Sequence, residues 1–162
     1  MTTKKMVGAA MVAALYTALT LALGSIAFGP LQFRPGEALT VLPFLFPEAI
    51  PGLFVGCLLS NIISPMELPD LIFGSLATLA AAFLTARCRR RWLAPVPPVI
   101  INAVVIGAMI TLFYIPAAEA GLYAFALNAA LVGLSQCFSC FGLGLPLLYA
   151  AERLRLKEKL YR

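Results

Sequence analysis

The sequence predicts an all-α integral membrane protein of six transmembrane helices, the second of them short, with both termini cytoplasmic. Three observations carry this prediction. Of 162 residues, 62% are hydrophobic and 12% charged, against about 45–50% and about 25% in soluble chains. Mean hydropathy is +0.95. The charges are grouped rather than scattered, so long apolar stretches run between them. A spanning helix needs about 20 apolar residues, which gives room for five or six spans in one membrane domain, residues 1–162. This composition excludes a water-facing globular enzyme, a disordered tail and a nucleic-acid module, despite a pI of 9.3.

The first span is expected at residues 6–28, after Lys4 and Lys5. Its apolar part is longer than the about 7–15 residues of a cleaved signal peptide. Later stretches at 47–64, 68–86, 95–114 and 120–151 are bounded by prolines, by Glu67 and Asp70, by an arginine run and by Glu119. Residues 36–46, with Pro43 and Pro47, make a poor span by length. Charge placement decides the matter, because cytoplasmic loops are enriched in Lys and Arg. Three basic clusters qualify: Lys4/Lys5, Arg87/Arg89/Arg90/Arg91, and Arg153/Arg155/Lys157/Lys159/Arg162. An even number of crossings must separate the first two, and a short tilted crossing at 35–46 restores the parity. Loops 29–36, 64–69 and 115–120 then face outward. The acidic residues other than Glu152 and Glu158 are expected at or near the outer ends.

Small residues recur every four positions on two spans. Ala10, Ala14, Ala18 and Ala22 form one ridge, and Gly52, Gly56, Ser60 and Ser64 another. Small-xxx-small patterns let helix backbones approach closely in lipid. The glycine ridge reads as internal packing; the alanine ridge fits either internal packing or docking of another membrane subunit.

Isolated polar groups at membrane depth mark binding sites or pathways. Arg34 and Glu37 are spaced to share a helical face and to pair with each other. Glu48 and Asp70 each sit where a carboxylate complements a helix start. Asn128 and Gln136 lie on the last span, Asn128 at a depth suited to the floor of an outward pocket. Asn102 reads as interhelical glue. Cys137 and Cys140 form a C-x-x-C whose thiols are expected to pack on one face as small hydrophobes; a membrane thiol oxidoreductase is the remote alternative. There is no His, which removes imidazole acid–base chemistry and metal ligation. No Walker-type phosphate loop occurs, so any ATP-derived energy must come from a partner.

The run Gly29-Pro-Leu-Gln-Phe-Arg-Pro-Gly-Glu-Ala-Leu-Thr-Val-Leu-Pro43 resembles the signature of the queuosine-precursor transporter family. The resemblance continues through Ala49-Ile-Pro-Gly-Leu-Phe-Val-Gly-Cys-Leu-Leu-Ser-Asn61 and Asp70-Leu-Ile-Phe-Gly-Ser-Leu-Ala-Thr-Leu-Ala80. It is weaker at Leu93-Ala-Pro-Val-Pro-Pro98 and Gly144-Leu-Pro-Leu-Leu-Tyr149. Pro35-Gly36 departs from the branched residue and Ser expected there. The family comprises substrate-binding (S) components of energy-coupling factor transporters, which are six-helix proteins without ATPase motifs. The resemblance therefore implies uptake rather than catalysis, and it implies no cofactor or metal. Its implied partners are a transmembrane coupling subunit and two cytoplasmic ATPases, with the alanine ridge as the docking surface.

The implied ligand is a 7-deazaguanine, such as 7-aminomethyl-7-deazaguanine or queuine, with another nucleobase or vitamin as the alternative. A guanine-type edge offers adjacent N–H donors that suit a carboxylate, and a carbonyl that suits an amide or Arg. Glu37 and Asn128 are the leading candidates. Arg34, Asn61, Asp70, Tyr123 and Gln136 stand behind them. Phe33, Tyr114 and Tyr123 offer faces for stacking. An aminomethyl cation calls for a second carboxylate, from among Glu37, Glu67, Asp70 and Glu119.

Overall fold

The computed structural model describes residues 2–27, 33–63, 68–156 and 158, with the side chains of residues 25 and 26 left undescribed. The expected positions of Gln32, Ser64, Glu67, Lys157, Lys159 and Arg162 lie outside the described residues. All regular structure among the described residues is helical. α1 spans Thr3–Ala22, and a one-turn α2, Gly24–Ala27, continues it after a break at Leu23. A 3₁₀ rod follows at Pro35–Phe44, then α3 at Ala49–Ile63. α4 runs Asp70–Ala86, α5 Val96–Phe113 and α6 Leu122–Arg153. Counting the rod, the described residues form six apolar helical segments, three of them long enough to cross a membrane and three shorter, which agrees with the expected count.

The rod is longer than its residue count would give as an α-helix. Pro35 fixes its first turn, while Pro43 and the β-branched Thr40 and Val41 disfavour an α-helix. The Thr40 hydroxyl donates to the Glu37 carbonyl at 2.6 Å, which tightens the turn. At a rise of about 2.0 Å per residue, ten 3₁₀ residues cover about 20 Å, where an α-helix would cover about 15 Å. Eight of the ten are buried, and the rod touches α1, α3, α4, α5 and α6. It is the axis of the bundle, not a lipid-facing span.

Close backbone approach holds the shell to this axis. A Cβ on Gly36 would strike Thr20 and the Tyr16 carbonyl of α1. On α3, a Cβ on Gly52 would strike the Ala9 carbonyl, and one on Gly56 would lie 2.8 Å from the Ala13 carbonyl. The glycine ridge therefore packs internally, against Ala9 and Ala13. These are immediate neighbours of the alanine ridge, whose own members Ala10, Ala14, Ala18 and Ala22 are all exposed.

Polarity is inverted relative to a soluble fold. Leu112 is 72% exposed and Leu134 69%, whereas Arg34, Glu37, Asn61, Asp70, Asn102 and Gln136 are buried. Apolar surface outward and polar groups inward is the arrangement that a hydrocarbon solvent selects. The basic segments gather at one end. Lys4 and Leu156 line one groove, and Arg91 pairs with Glu152 at 3.0 Å and lies over the Tyr149 ring. Glu48 lines the same groove as Lys4. It therefore belongs to the basic end, contrary to the expectation that it lies outward, because α3 starts there. Its Oε1 has no described hydrogen-bond partner, so no helix-capping bond is formed through it.

The α1–α3 contact is testable. Gly56→Val should lower stability by about 1–3 kcal/mol through overpacking, read as a lower melting temperature in detergent, whereas the exposed Ala14→Val should leave it unchanged. Equal melting temperatures would mean that α1 and α3 do not approach this closely.

Candidate functional site

A polar cluster is buried where the rod begins. Arg34 immediately precedes the rod, and its guanidinium reaches three other elements. It donates to Asp70 Oδ2 of α4 at 2.5 Å, to Asn61 Oδ1 of α3 at 3.3 Å and to the Ala27 carbonyl of α2 at 3.4 Å. Asn61 completes the circuit by donating to the Asp70 carbonyl at 3.1 Å. The expected Arg34–Glu37 pair is thus replaced by Arg34–Asp70. The reason is that Arg34 lies before the helical repeat, in extended backbone, and shares no helical face with Glu37. Asp70 is correspondingly more than a helix-start carboxylate. The helix already runs from Leu68, and Asp70 opens a π-helical turn, Asp70–Gly74, a feature common at functional sites.

One turn into the rod, Glu37 is 2% exposed and surrounded by donors. Tyr16 of α1 donates its hydroxyl to Oε1, Thr78 of α4 donates to the same oxygen at 3.3 Å, and Asn102 of α5 donates to Oε2 at 3.3 Å. A cavity of about 10 Å³ adjoins this carboxylate, lined by Arg34, Glu37, Gly74, Thr78, Asn102 and Gln136 with Ile106 and Val132. It is far smaller than a bicyclic base, so a base can be seated there only if side chains give way. The polar wall offers a carboxylate acceptor, two amides and a hydroxyl, enough to read a heterocycle edge.

The other expected residues fall in different places. Gln136 reaches the cavity and lies 3.6 Å from Cys140 Sγ. Asn128 is half-buried and donates to Thr111 at 3.1 Å. It stands one turn before Val132 on the stripe that continues to Gln136, so it lies beside the cavity rather than at its floor. Tyr123 is 83% exposed on α6, Tyr114 is exposed at the end of α5, and Glu119 is exposed in the loop between them. Phe33 meets Phe138 edge-on at 5.6 Å between ring centres.

The two cysteines part company: Cys137 is exposed, whereas Cys140 is buried and contacts Thr40 and the Glu37 carbonyl. The π-helical turn Phe138–Gly144 changes the repeat between them, so they do not share a face. Sequence reasoning missed Tyr16, Thr78 and, as a cluster member, Asn102. Asn102 carried a signal, being a lone amide in an apolar span; Tyr16 and Thr78 carried none that periodicity exposes.

An all-helical bundle with apolar flanks and a polar cavity on its axis is a multi-pass membrane protein with the build of a solute carrier. The family description "QueT transporter" matches residues 6–153, and the chain belongs to that family. It is 42% identical over 72 residues to a protein named queuosine precursor transporter QueT from Lactococcus lactis subsp. cremoris (strain MG1363). That alignment covers 43% of this chain and 42% of the relative, less than half of either. No solved structure matches.

Arg34→Met should cost about 3–5 kcal/mol by leaving the Asp70 carboxylate buried and unpaired. Arg34→Met/Asp70→Leu should recover most of that loss. Chemical or thermal unfolding of the detergent-solubilised variants measures both, and a double variant no better than the single one would contradict a pairing role.

Proposed function

We propose that this protein is the substrate-binding component of an energy-coupling factor importer and captures a queuosine precursor of the 7-deazaguanine type. The observation that carries this reading is the Glu37 carboxylate at the axial cavity, with the Asn102 and Gln136 amides beside it. Membership of the transporter family supports it, as does the name of the Lactococcus relative, a queuosine precursor transporter. In this reading Glu37 accepts the adjacent N–H groups of the base and the amides meet its remaining polar edge. Arg34, Asn61 and Asp70 form the outer wall, Asn128 stands beside the approach, and Phe33 and Tyr123 lie further out. The positive-inside rule puts the Lys4, Arg91 and Arg153 end in the cytoplasm. The cavity, toward the opposite end, then opens outward.

In this reading energy comes from a coupling subunit and two ATPases. The exposed ridge Ala10, Ala14, Ala18 and Ala22 supports docking there, because its small side chains admit a second helix at close range. The alternative redox reading through Cys137 and Cys140 has little geometric support, since the two thiols occupy different surroundings.

Titration calorimetry of the purified protein with 7-aminomethyl-7-deazaguanine tests the ligand. Saturable binding is expected, and Asn102→Ala should weaken it by about 1–3 kcal/mol by removing a partner of the base-reading carboxylate. Absence of binding to any deazaguanine, with binding of another nucleobase or vitamin instead, would reassign the substrate. For docking, Ala14→Leu or Ala18→Leu should abolish co-purification with the coupling subunit while ligand affinity stays unaltered. Retained co-purification would move the docking surface elsewhere.

A further inference from the structure

The basic end of the bundle holds a groove of about 300 Å³ that shares no lining residue with the axial cavity. It runs between α1, the rod, the start of α3 and the last turns of α6. Val7, Met11 and Leu15 on its α1 side are exposed, so it opens sideways from the bundle, where a spanning protein meets lipid. From Lys4 to Leu15 the groove follows α1 for about 16 Å at the α-helical rise. One leaflet of a hydrocarbon core about 30 Å thick has about this depth. The groove therefore has the direction and length of a lipid chain.

Among the described lining residues, only Lys4 and Glu48 carry polar side chains. They are opposite in charge yet form no ion pair with each other or with any described residue. Glu48 Oε1 is buried without a described hydrogen-bond partner, and a buried carboxylate oxygen left unmet is costly. A headgroup with both an ammonium and a phosphate answers the two residues together. The ammonium donates to Glu48, and Lys4 extends along its alkyl stem to the phosphate. A wholly anionic headgroup would pair with Lys4 but bring a second negative charge beside Glu48. A choline headgroup has no N–H to donate. We infer that this groove is a lipid site holding one acyl chain of an aminophospholipid from the leaflet at the basic end, with the ammonium on Glu48 and the phosphate on Lys4. The site is separate from solute capture and does not depend on which solute is carried.

Native mass spectrometry tests this on the full chain, mixed in detergent with equal amounts of phosphatidylethanolamine, phosphatidylglycerol and phosphatidylcholine of identical acyl chains. The ethanolamine lipid should be retained about tenfold over the choline lipid, and above the glycerol lipid. Glu48→Gln should bring the ethanolamine and choline lipids together. Gly8→Leu, which fills the groove without altering any charge, should lower retention of all three and keeps the test open if Glu48→Gln does not fold. Equal retention of the three lipids by the wild-type protein, or preference for the anionic one, overturns the site. So does an ethanolamine preference unchanged in folded Glu48→Gln, or retention unchanged in folded Gly8→Leu. Retention of no lipid overturns it as well; labelling of Met11→Cys blocked by the coupling subunit would then give the groove to a protein partner instead.

Discussion

The buried Arg34–Asp70 pair is the contact on which the rest of this structure depends. A guanidinium withdrawn from water is tolerable only when its donors are met, and here the partners come from α2, α3 and α4. The pair therefore fixes the start of the rod against half of the bundle. Once Arg34 is fixed, the first 3₁₀ turn places Glu37 on the axis, within reach of α1, α4 and α5. The π-helical turn at Asp70–Gly74 belongs to the same arrangement, since it carries both the carboxylate and the side-chain-free position next to the cavity.

Around that axis the two sides of α1 separate two tasks. Ala9, Ala13 and Tyr16 face inward, toward Gly52, Gly56 and the rod, where close backbone packing substitutes for the hydrophobic drive that lipid does not provide. Ala10, Ala14, Ala18 and Ala22 are exposed on the other side. A helix with small residues on both flanks can be packed within its own bundle and still present a smooth surface to a second protein. Under the proposed function, solute contact and partner contact occupy different surfaces of this one thin helix.

Much of the fold was legible because it follows from solvent and parity. Long apolar runs, grouped Lys and Arg, and the need for an even crossing count led to six helices with a short second one, and the bundle has six helical segments of which the second is short. The glycine ridge was legible as packing for the same reason, since only small side chains permit such contacts. The site was legible in part. Glu37, Arg34, Asn61, Asp70 and Gln136 were conspicuous as polar residues in apolar sequence, and they do converge. Their pairing was not legible, because Arg34 lies outside any helical repeat and its partner is 36 residues away.

What the sequence determined by itself is the solvent, the number of helical segments, the family and the short inventory of polar residues that must be satisfied away from water. These are set by composition, spacing and local pattern. The tertiary structure alone decided which of those polar groups meet. It gave Asn102 its interhelical partner, Glu37, turned Asn128 to Thr111, brought in Tyr16 and Thr78, and parted Cys137 from Cys140. The contacts of Glu37 and the parting of the two cysteines depend on the 3₁₀ and π-helical departures from the ordinary repeat. Such departures arise from packing around a proline-bound rod, a constraint spread over five helices that no local window of residues contains.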